Sequence, residues 1–483
     1  MRYLSKSLKE IHDAILRNEV TPLDLVKEGL SYVGKDNNNA FEYICNKEAI
    51  DAVNKLDSSK KNSLLYGVPI VIKDCFSTKN IPTTASSNML SDYIPCFDAE
   101  VVTRLKNAGA IIIGKTTMDE LAMGGSGTSG RKGMTYNPWD KSRKHIIGGS
   151  SCGSAAAVSS GLTPIGIGSD TGDSVRKPAS YSGLVGFKPT WGRISRYGMF
   201  QFASSLDHVA YFTRNVFDSA YLLNVLAGHD NKDFSSGYDD VIDYTKDLSN
   251  SIKGKRIAVI KEVLDCCSPK IIECFNKTLD QLRVEGAIVD IVSIEEKILK
   301  AIYPTYFIIS SSEATSNNAN LDGLKFGSRC EGNSFEEVMI NTRTKCFSPL
   351  IKRRFIIGSL SLSKTHREEL FVRAQKCRRL IVDSFNKVFE KYDFIYCPAS
   401  PTTAPLFKGY NPRFNGDVNV ADNYLAFANF GGNPSITIPI GFENNMPFGG
   451  NFTAKPHFDS ELLNVASILE KHTGLMNLVK ENE

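Results

Sequence analysis

Two serine-rich turns and one lysine hold the residue types from which an acyl-transfer site is made. The stretch 146–180, IIGGSSCGSAAAVSSGLTPIGIGSDTGDSVRKPAS, offers Ser150, Ser151 and Ser154 on a first turn. A second turn offers Asp170, Thr171, Asp173, Ser174 and Arg176. Hydroxyls on turns packed against a sheet are a common way to present a nucleophile. A serine needs a base, usually histidine, but the seven histidines show no evident pairing with these turns. Read as GxSxG, residues 149–153 would make Ser151 the nucleophile of a hydrolase elbow. That elbow requires a strand immediately before it, and the residues there are the polar DKSRKH.

Lysine is the other candidate base. Lys73 follows the apolar run VPIVI, and desolvation among such neighbours lowers a lysine from its ordinary pKa of about 10.4. A neutral lysine takes a proton from one serine directly, or through a second. The plain alternative is a strand-end lysine reaching solvent. Its position at the carboxyl end of a core strand, where α/β proteins place their sites, argues against that.

The elements that must position these groups follow from periodicity. An Ala-rich helix over 153–161 closed by glycine, then a buried strand over 164–168, would set the two turns on either side of one helix–strand unit. Residues 4–34 read as two amphipathic helices, the second starting after Thr21 with Pro22 in its first turn. A continuous apolar strand within 64–76 carries Lys73. Helix, Gly-Ala stop and strand recur at 100–114 and 282–291, the mark of a sheet with helices on both faces. Residues 118–131, MDELAMGGSGTSGR, read as a helix running into a Gly/Ser loop that walls the same site. Further helices are expected at 215–226, 303–317, 336–344 and 362–391, and from Asp459. Strands are expected at 393–397 and 435–439, with a Pro-rich loop over 398–423.

The chain has 483 residues, 42% apolar and 23% charged, which is ordinary for a globular protein and excludes disorder as a whole. A net charge of +4 is too balanced for a nucleic-acid footprint. Eleven cysteines without a CxxC pair suit reduced thiols better than disulfides or zinc. No targeting segment or membrane-length apolar run is evident, so a cytoplasmic protein without membrane contact is expected. No composition shift divides the chain. The expectation is one α/β domain over 1–483, with N-terminal helices in 1–60 and a polar surface excursion near 228–255.

Taken together, GGSSCGSAAAVSSG and GIGSDTGDSVRKPASYSGLVGFKPTWGRISRYG resemble the amidase signature family. GVPIVIKD, GKTTMDELAMGGS, TYNPWD, SSLDHVA, IKRRFIIGSLSLS and PASPTTAP fall in family order over nearly the whole chain. The implied fold is α/β, a large mixed central sheet covered by helices on both faces. ELAMGGS and IKRRFIIGSLSLS favour the glutaminase subunits of tRNA-dependent amidotransferases over free-standing amidases.

Carried over, the resemblance makes Ser174 the nucleophile, Ser150 the bridging serine, which in the family follows a cis peptide bond, and Lys73 the base. Backbone N–H groups of Thr171, Gly172, Asp173 and Ser174 would form the oxyanion hole, and Tyr306, Arg354 and Asp422 would hold glutamine. Arg354 suits the α-carboxylate and Asp422 the α-ammonium. Without the resemblance, Arg354 reads as a helix-surface cation beside Lys352 and Arg353, and Asp422 as a helix N-cap. One departure stands out: the family's TGGS is TGDS here. The Asp173 charge beside a developing oxyanion is unfavourable unless it turns away or meets Arg176 or Lys177; the expectation is that it turns away.

The implied reaction is hydrolysis of glutamine to glutamate, with ammonia passed on to convert Glu-tRNA(Gln) to Gln-tRNA(Gln), or Asp-tRNA(Asn) to Asn-tRNA(Asn). The chain itself needs no metal or cofactor. ATP and magnesium would belong to a partner B subunit, through which tRNA is mainly met, with a small C subunit completing the complex. Two other functions stay open: a free-standing amidase for small or aryl amides, and a silent scaffold disabled by Asp173.

Overall fold

The computed structural model describes residues 2–408 and 420–480. The expected loop 398–423 therefore lies partly outside the described residues. The architecture is one mixed sheet of eleven described strands: β1 (Phe41–Ile44), β2 (Pro69–Lys73), β3 (Ile111–Thr116), β4 (Gly166–Asp170), β5 (Val185–Lys188), β6 (His208–Thr213), β7 (Arg256–Ile260), β8 (Ile288–Val292), β9 (Phe394–Pro398), β10 (Ser435–Glu443) and β11 (Met446–Ala454). They lie in the order β1-β3-β2-β4-β6-β5-β10-β11-β9-β7-β8. β2 runs parallel to both β3 and β4, and β7 parallel to β8 and β9, while the strands from β4 through β6, β5, β10 and β11 to β9 pair antiparallel.

Side-chain alternation explains why the sheet is covered twice. Ile70 and Ile72 of β2 enter one apolar cluster while Val71 enters another. Ile112 of β3 joins the first, Ile111 and Ile113 the second; Val209 and Tyr211 of β6 face one way, Ala210 and Phe212 the other. Successive residues of a strand point to opposite faces, so continuous apolar runs demand two helical layers. The fold is the one expected.

Local signals place many elements. Ser7 and Thr21 cap helices Leu8–Leu16 and Pro22–Val33, each with a reciprocal bond from Glu10 or Asp24. Every residue of helix Cys152–Ser159 is buried, as befits an apolar helix without a polar face. Small residues let it lie against β4, where Gly166 faces Ser154.

Four expectations need correction. Residues 118–131 contain no α-helix, only a single turn at Glu120–Ala122 with Leu121 and Ala122 at φ 51° and 61°. The Leu121 N–H is taken by the Ala85 carbonyl, which holds the chain off a helical path. The helix expected from 303 begins at Glu296 and passes through Pro304. The long helix expected over 362–391 is broken: helix Pro349–Leu362 ends on extended Ser363, and a π-helical turn Glu368–Val372 leads into helix Arg373–Phe389. Strand β11 has no counterpart among the expected strands; it returns from β10 through Asn444 and Asn445, both left-handed, which matches a two-residue hairpin. Among the described residues, no helix is long and apolar enough to cross a membrane.

Candidate active site

Lys73 closes β2, completely buried, and its Nζ faces hydroxyls rather than a carboxylate. Ser150 Oγ lies at 2.7 Å, Ser151 Oγ and Ser169 Oγ at 2.9 Å each. Burial pushes the lysine below its ordinary pKa, because desolvation disfavours the charged form. Ser151 Oγ donates to the Ser169 carbonyl at 3.0 Å, which commits its proton. Ser150 Oγ is the nearest of the three hydroxyls to Lys73 Nζ. That arrangement removes the elbow reading: Ser151 is fully buried at the start of the helix and its hydroxyl is occupied.

The peptide between Gly149 and Ser150 is cis. Gly149 is a close-approach position, because a Cβ there would run into the Asp119 carboxylate. Asp119 also gathers the Gly/Ser loop. Its two oxygens accept the N–H groups of Ser126, Gly127, Thr128 and Ser129 at 3.0–3.2 Å, and its own N–H donates to the Ser150 carbonyl at 3.1 Å. The loop is a built wall of the site, as expected of it.

Ser174 stands on the turn after β4, and its carbonyl accepts the Ser151 N–H at 3.2 Å, joining the two serine turns. The turn 171–174 is shaped from below. Asp170 accepts the Val175 N–H at 3.0 Å and meets the Arg176 guanidinium at 2.9 and 3.1 Å. Burial alone would raise that carboxyl, but Arg176 holds it well below the usual carboxylate range. Arg176 Nη2 also donates to the Gly172 carbonyl at 2.7 Å. Since C=O and N–H of a trans peptide point opposite ways, the Asp173 N–H is turned away from Arg176. Thr171 is fixed by its hydroxyl on Asp207 at 2.7 Å. Asp207 is itself fully buried, which pushes its carboxyl up to about 6, and it accepts the N–H groups of Phe202 and Ala203.

Of the residues that the resemblance assigns to glutamine, Tyr306 packs on this turn, Arg354 shares Phe202 with it, and Asp422 meets Lys177. Tyr306 lies over Gly172 so closely that an added Cβ would be 3.0 Å from its ring. The same ring meets Phe202 edge-on at 6.5 Å, and the Arg354 guanidinium covers Phe202 at 5.1 Å and Phe307 at 4.8 Å. Arg354 is buried and its Nε donates to the Met123 carbonyl at 3.0 Å, whereas Arg353 is exposed; the surface-cation alternative fails. Asp422 lies within the short helix Val420–Asn423 rather than before it, so it is not an N-cap. Its Oδ1 is 3.8 Å from Lys177 Nζ. Asp173 is compensated rather than merely turned aside: its Oδ2 is 3.0 Å from Lys177 Nζ.

Sequence reasoning missed Ser169, Asp119, Asp207 and Asn429, whose Nδ2 donates to the Asp170 carbonyl at 3.0 Å. A serine inside the buried strand GIGSD was the available signal for Ser169. Among the described residues, no group of three or more His, Cys, Asp or Glu side chains is placed to hold a metal ion.

The chain is similar in sequence and fold to known proteins over nearly its whole length. The chain is 38% identical over 475 residues to the A subunit of the glutamyl-tRNA(Gln) amidotransferase of Lactobacillus johnsonii, covering 98% of this chain and 97% of that one. The same-named protein of Persephonella marina is 38% identical over 479 residues, covering 98% of each. The crystal structure of the A subunit of the Thermotoga maritima glutamyl-tRNA(Gln) amidotransferase superposes with a TM-score of 0.81 at 31% identity, covering 100% of this chain and 98% of that one. A bacterial aryl acylamidase of the amidase signature enzymes shares the fold, with a TM-score of 0.83 at 21% identity, covering 97% and 96%. The family profile described as amidase matches residues 31–463, and with it the chain belongs to the amidase family.

Proposed function

We propose that this chain is the glutaminase component of a tRNA-dependent amidotransferase. The observation that carries the reading is the buried Lys73 Nζ at 2.7 Å from Ser150 Oγ, on a turn bonded to that of Ser174. Its place within an amidotransferase complex is supported by full-length relatives named as the A subunit of glutamyl-tRNA(Gln) amidotransferase.

In the proposed reaction, Ser174 Oγ attacks the side-chain amide carbon of glutamine. Its proton passes through Ser150 to neutral Lys73 and returns by the same route to the leaving nitrogen. The oxyanion forms toward the N–H groups of the 171–174 turn, where each donor contributes about 3 kcal/mol. Cleavage of the C–N bond releases ammonia, and water then attacks the Ser174 ester to release glutamate. Arg354 takes the α-carboxylate, Asp422 the α-ammonium, and Tyr306 covers the side chain over Gly172. Ammonia passes to a B subunit, which binds ATP, magnesium and Glu-tRNA(Gln), with a C subunit completing the assembly.

The test is ammonia release from glutamine by the purified chain, alone and with its B-type partner, ATP and Glu-tRNA(Gln). Release that rises sharply in the full mixture supports the reading. Cleavage of simple amides without any response to glutamine would make it a free-standing amidase, and silence toward both a scaffold.

A further inference from the structure

Asp207 is only 1% exposed, and its two carboxylate oxygens are divided between two parts of the site. Oδ1 accepts the Thr171 hydroxyl at 2.7 Å, on the turn that ends at Ser174. Oδ2 accepts the N–H groups of Phe202 at 2.9 Å and Ala203 at 3.0 Å. Phe202 is the ring that meets Tyr306 edge-on and lies under the Arg354 guanidinium. The segment carrying it is also fastened to helix Glu296–Asn317, the helix of Tyr306. Asn317 Nδ2 donates to the Phe202 carbonyl at 3.2 Å, and Glu313 accepts the N–H and the hydroxyl of Ser205 at 2.9 and 2.6 Å. Among the described residues, the donors on the Asp207 carboxylate are all uncharged, while Arg196 donates to the main-chain carbonyls of Ser204 and Asp207 and to Ser235 Oγ. A carboxylate kept this dry costs stability, and such groups gather at functional sites.

We propose that Asp207 is a positioning residue that locks the oxyanion turn to the glutamine-binding wall, so that one side chain sets both turnover and the affinity for glutamine. This deepens the glutaminase reading and rests on it. The bond from the Thr171 hydroxyl fixes where the peptides of the 171–174 turn point. The bonds from the Phe202 and Ala203 N–H groups fix the ring against which Tyr306 and Arg354 pack. A single planar carboxylate spans the two, so neither part shifts without the other.

The division of the two oxygens predicts a split in the kinetics. Thr171→Val removes only the tie to the turn and lowers kcat for glutamine about 30-fold with KM little changed, the scale of a sub-ångström shift at the reacting atoms. Asp207→Asn keeps a carbonyl oxygen for the Phe202 and Ala203 N–H groups and sets an amide against the Thr171 hydroxyl, so it repeats that loss in kcat with KM near the parent's. Because both changes remove the same contact, the double variant loses no more than about threefold beyond either single. Asp207→Ala frees both parts: kcat falls at least as far, and KM rises about tenfold.

The experiment measures kcat and KM for ammonia release from glutamine in the full complex, with thermal midpoints, for Thr171→Val, Asp207→Asn, their double and Asp207→Ala, beside the parent and Ser174→Ala. A group that only holds the fold together lowers the midpoint and leaves kcat and KM of the folded enzyme intact, and that result overturns the proposal while the parent stays active. Additive losses for Thr171→Val and Asp207→Asn, or an Asp207→Ala enzyme with unchanged KM, overturn it as well. Should Asp207→Ala fail to fold, Asp207→Ser is measured in its place, with the same direction of change in KM expected. A parent that releases no ammonia from glutamine overturns the glutaminase reading first and this proposal with it.

Discussion

The Ser151 N–H donates to the Ser174 carbonyl at 3.2 Å, so the turn that carries the bridging serine and the turn that carries the nucleophile are held as one unit. Lys73 enters that unit from β2, a neighbour of β4 in the sheet, and its burial keeps the pair of turns away from water. The relay therefore depends on three chain segments fixed by strand pairing, helix burial and a single interturn bond.

Removing each serine separates their roles. Ser174→Ala abolishes glutamine hydrolysis, because no other hydroxyl takes its place. Ser150→Ala keeps the nucleophile and loses the proton path, lowering kcat about 1,000-fold with KM little changed. Steady-state kinetics on folded variants check both.

The pH profile reports Lys73. Its neutral form is the base, and burial lowers its pKa, so kcat/KM rises with pH as the ammonium loses its proton. The midpoint of that limb lies below the ordinary lysine value of about 10.4. Lys73→Arg stays charged at every accessible pH and is inactive throughout. A limb at or above the ordinary value would contradict the assignment.

Gly172 tests the link between substrate and oxyanion sites. An alanine methyl would sit 3.0 Å from the Tyr306 ring, closer than van der Waals contact allows, so ring or turn must shift. Gly172→Ala lowers kcat/KM about 100-fold, since a displacement near 1 Å has that effect on reacting geometry. The thermal midpoint moves little by comparison.

Asp119 tests the loop wall. Asp119→Asn places an amide N–H₂ where backbone donors converge, leaving some of them unsatisfied. Stability falls by about 2 kcal/mol in denaturant titration, and activity falls with it because the loop 126–129 loosens, while the main-chain bond from position 119 to the Ser150 carbonyl is kept.

Much of this was legible in the sequence for physical reasons. The caps at Ser7 and Thr21 and the apolar runs of β2 and β3 act within a few residues, and so do their signals. A sheet covered on both faces followed from the helix–stop–strand repeats, and its mixed strand directions came with the family resemblance. What escaped depends on distant partners. The turn at Glu120–Ala122 looks helical until Ala85 takes the Leu121 N–H. Arg354 looks exposed beside Lys352 and Arg353 until Phe202, Phe307 and the Met123 carbonyl enclose it. Asp207 supports Thr171 from 36 residues away in sequence, a distance no periodicity bridges. The family resemblance named Ser150 as the bridging serine, and the bond of the Ser151 hydroxyl to the Ser169 carbonyl is a contact that the sequence does not show.

The central claim is an acyl-enzyme on Ser174 formed from glutamine. It is tested most directly by rapid acid quench of the enzyme with isotope-labelled glutamine, followed by intact-mass and peptide mass spectrometry. The account predicts a γ-glutamyl ester mapped to Ser174, absent in Ser174→Ala and accumulating slowly in Ser150→Ala. An adduct on another residue, or ammonia release that persists in Ser174→Ala, would contradict it.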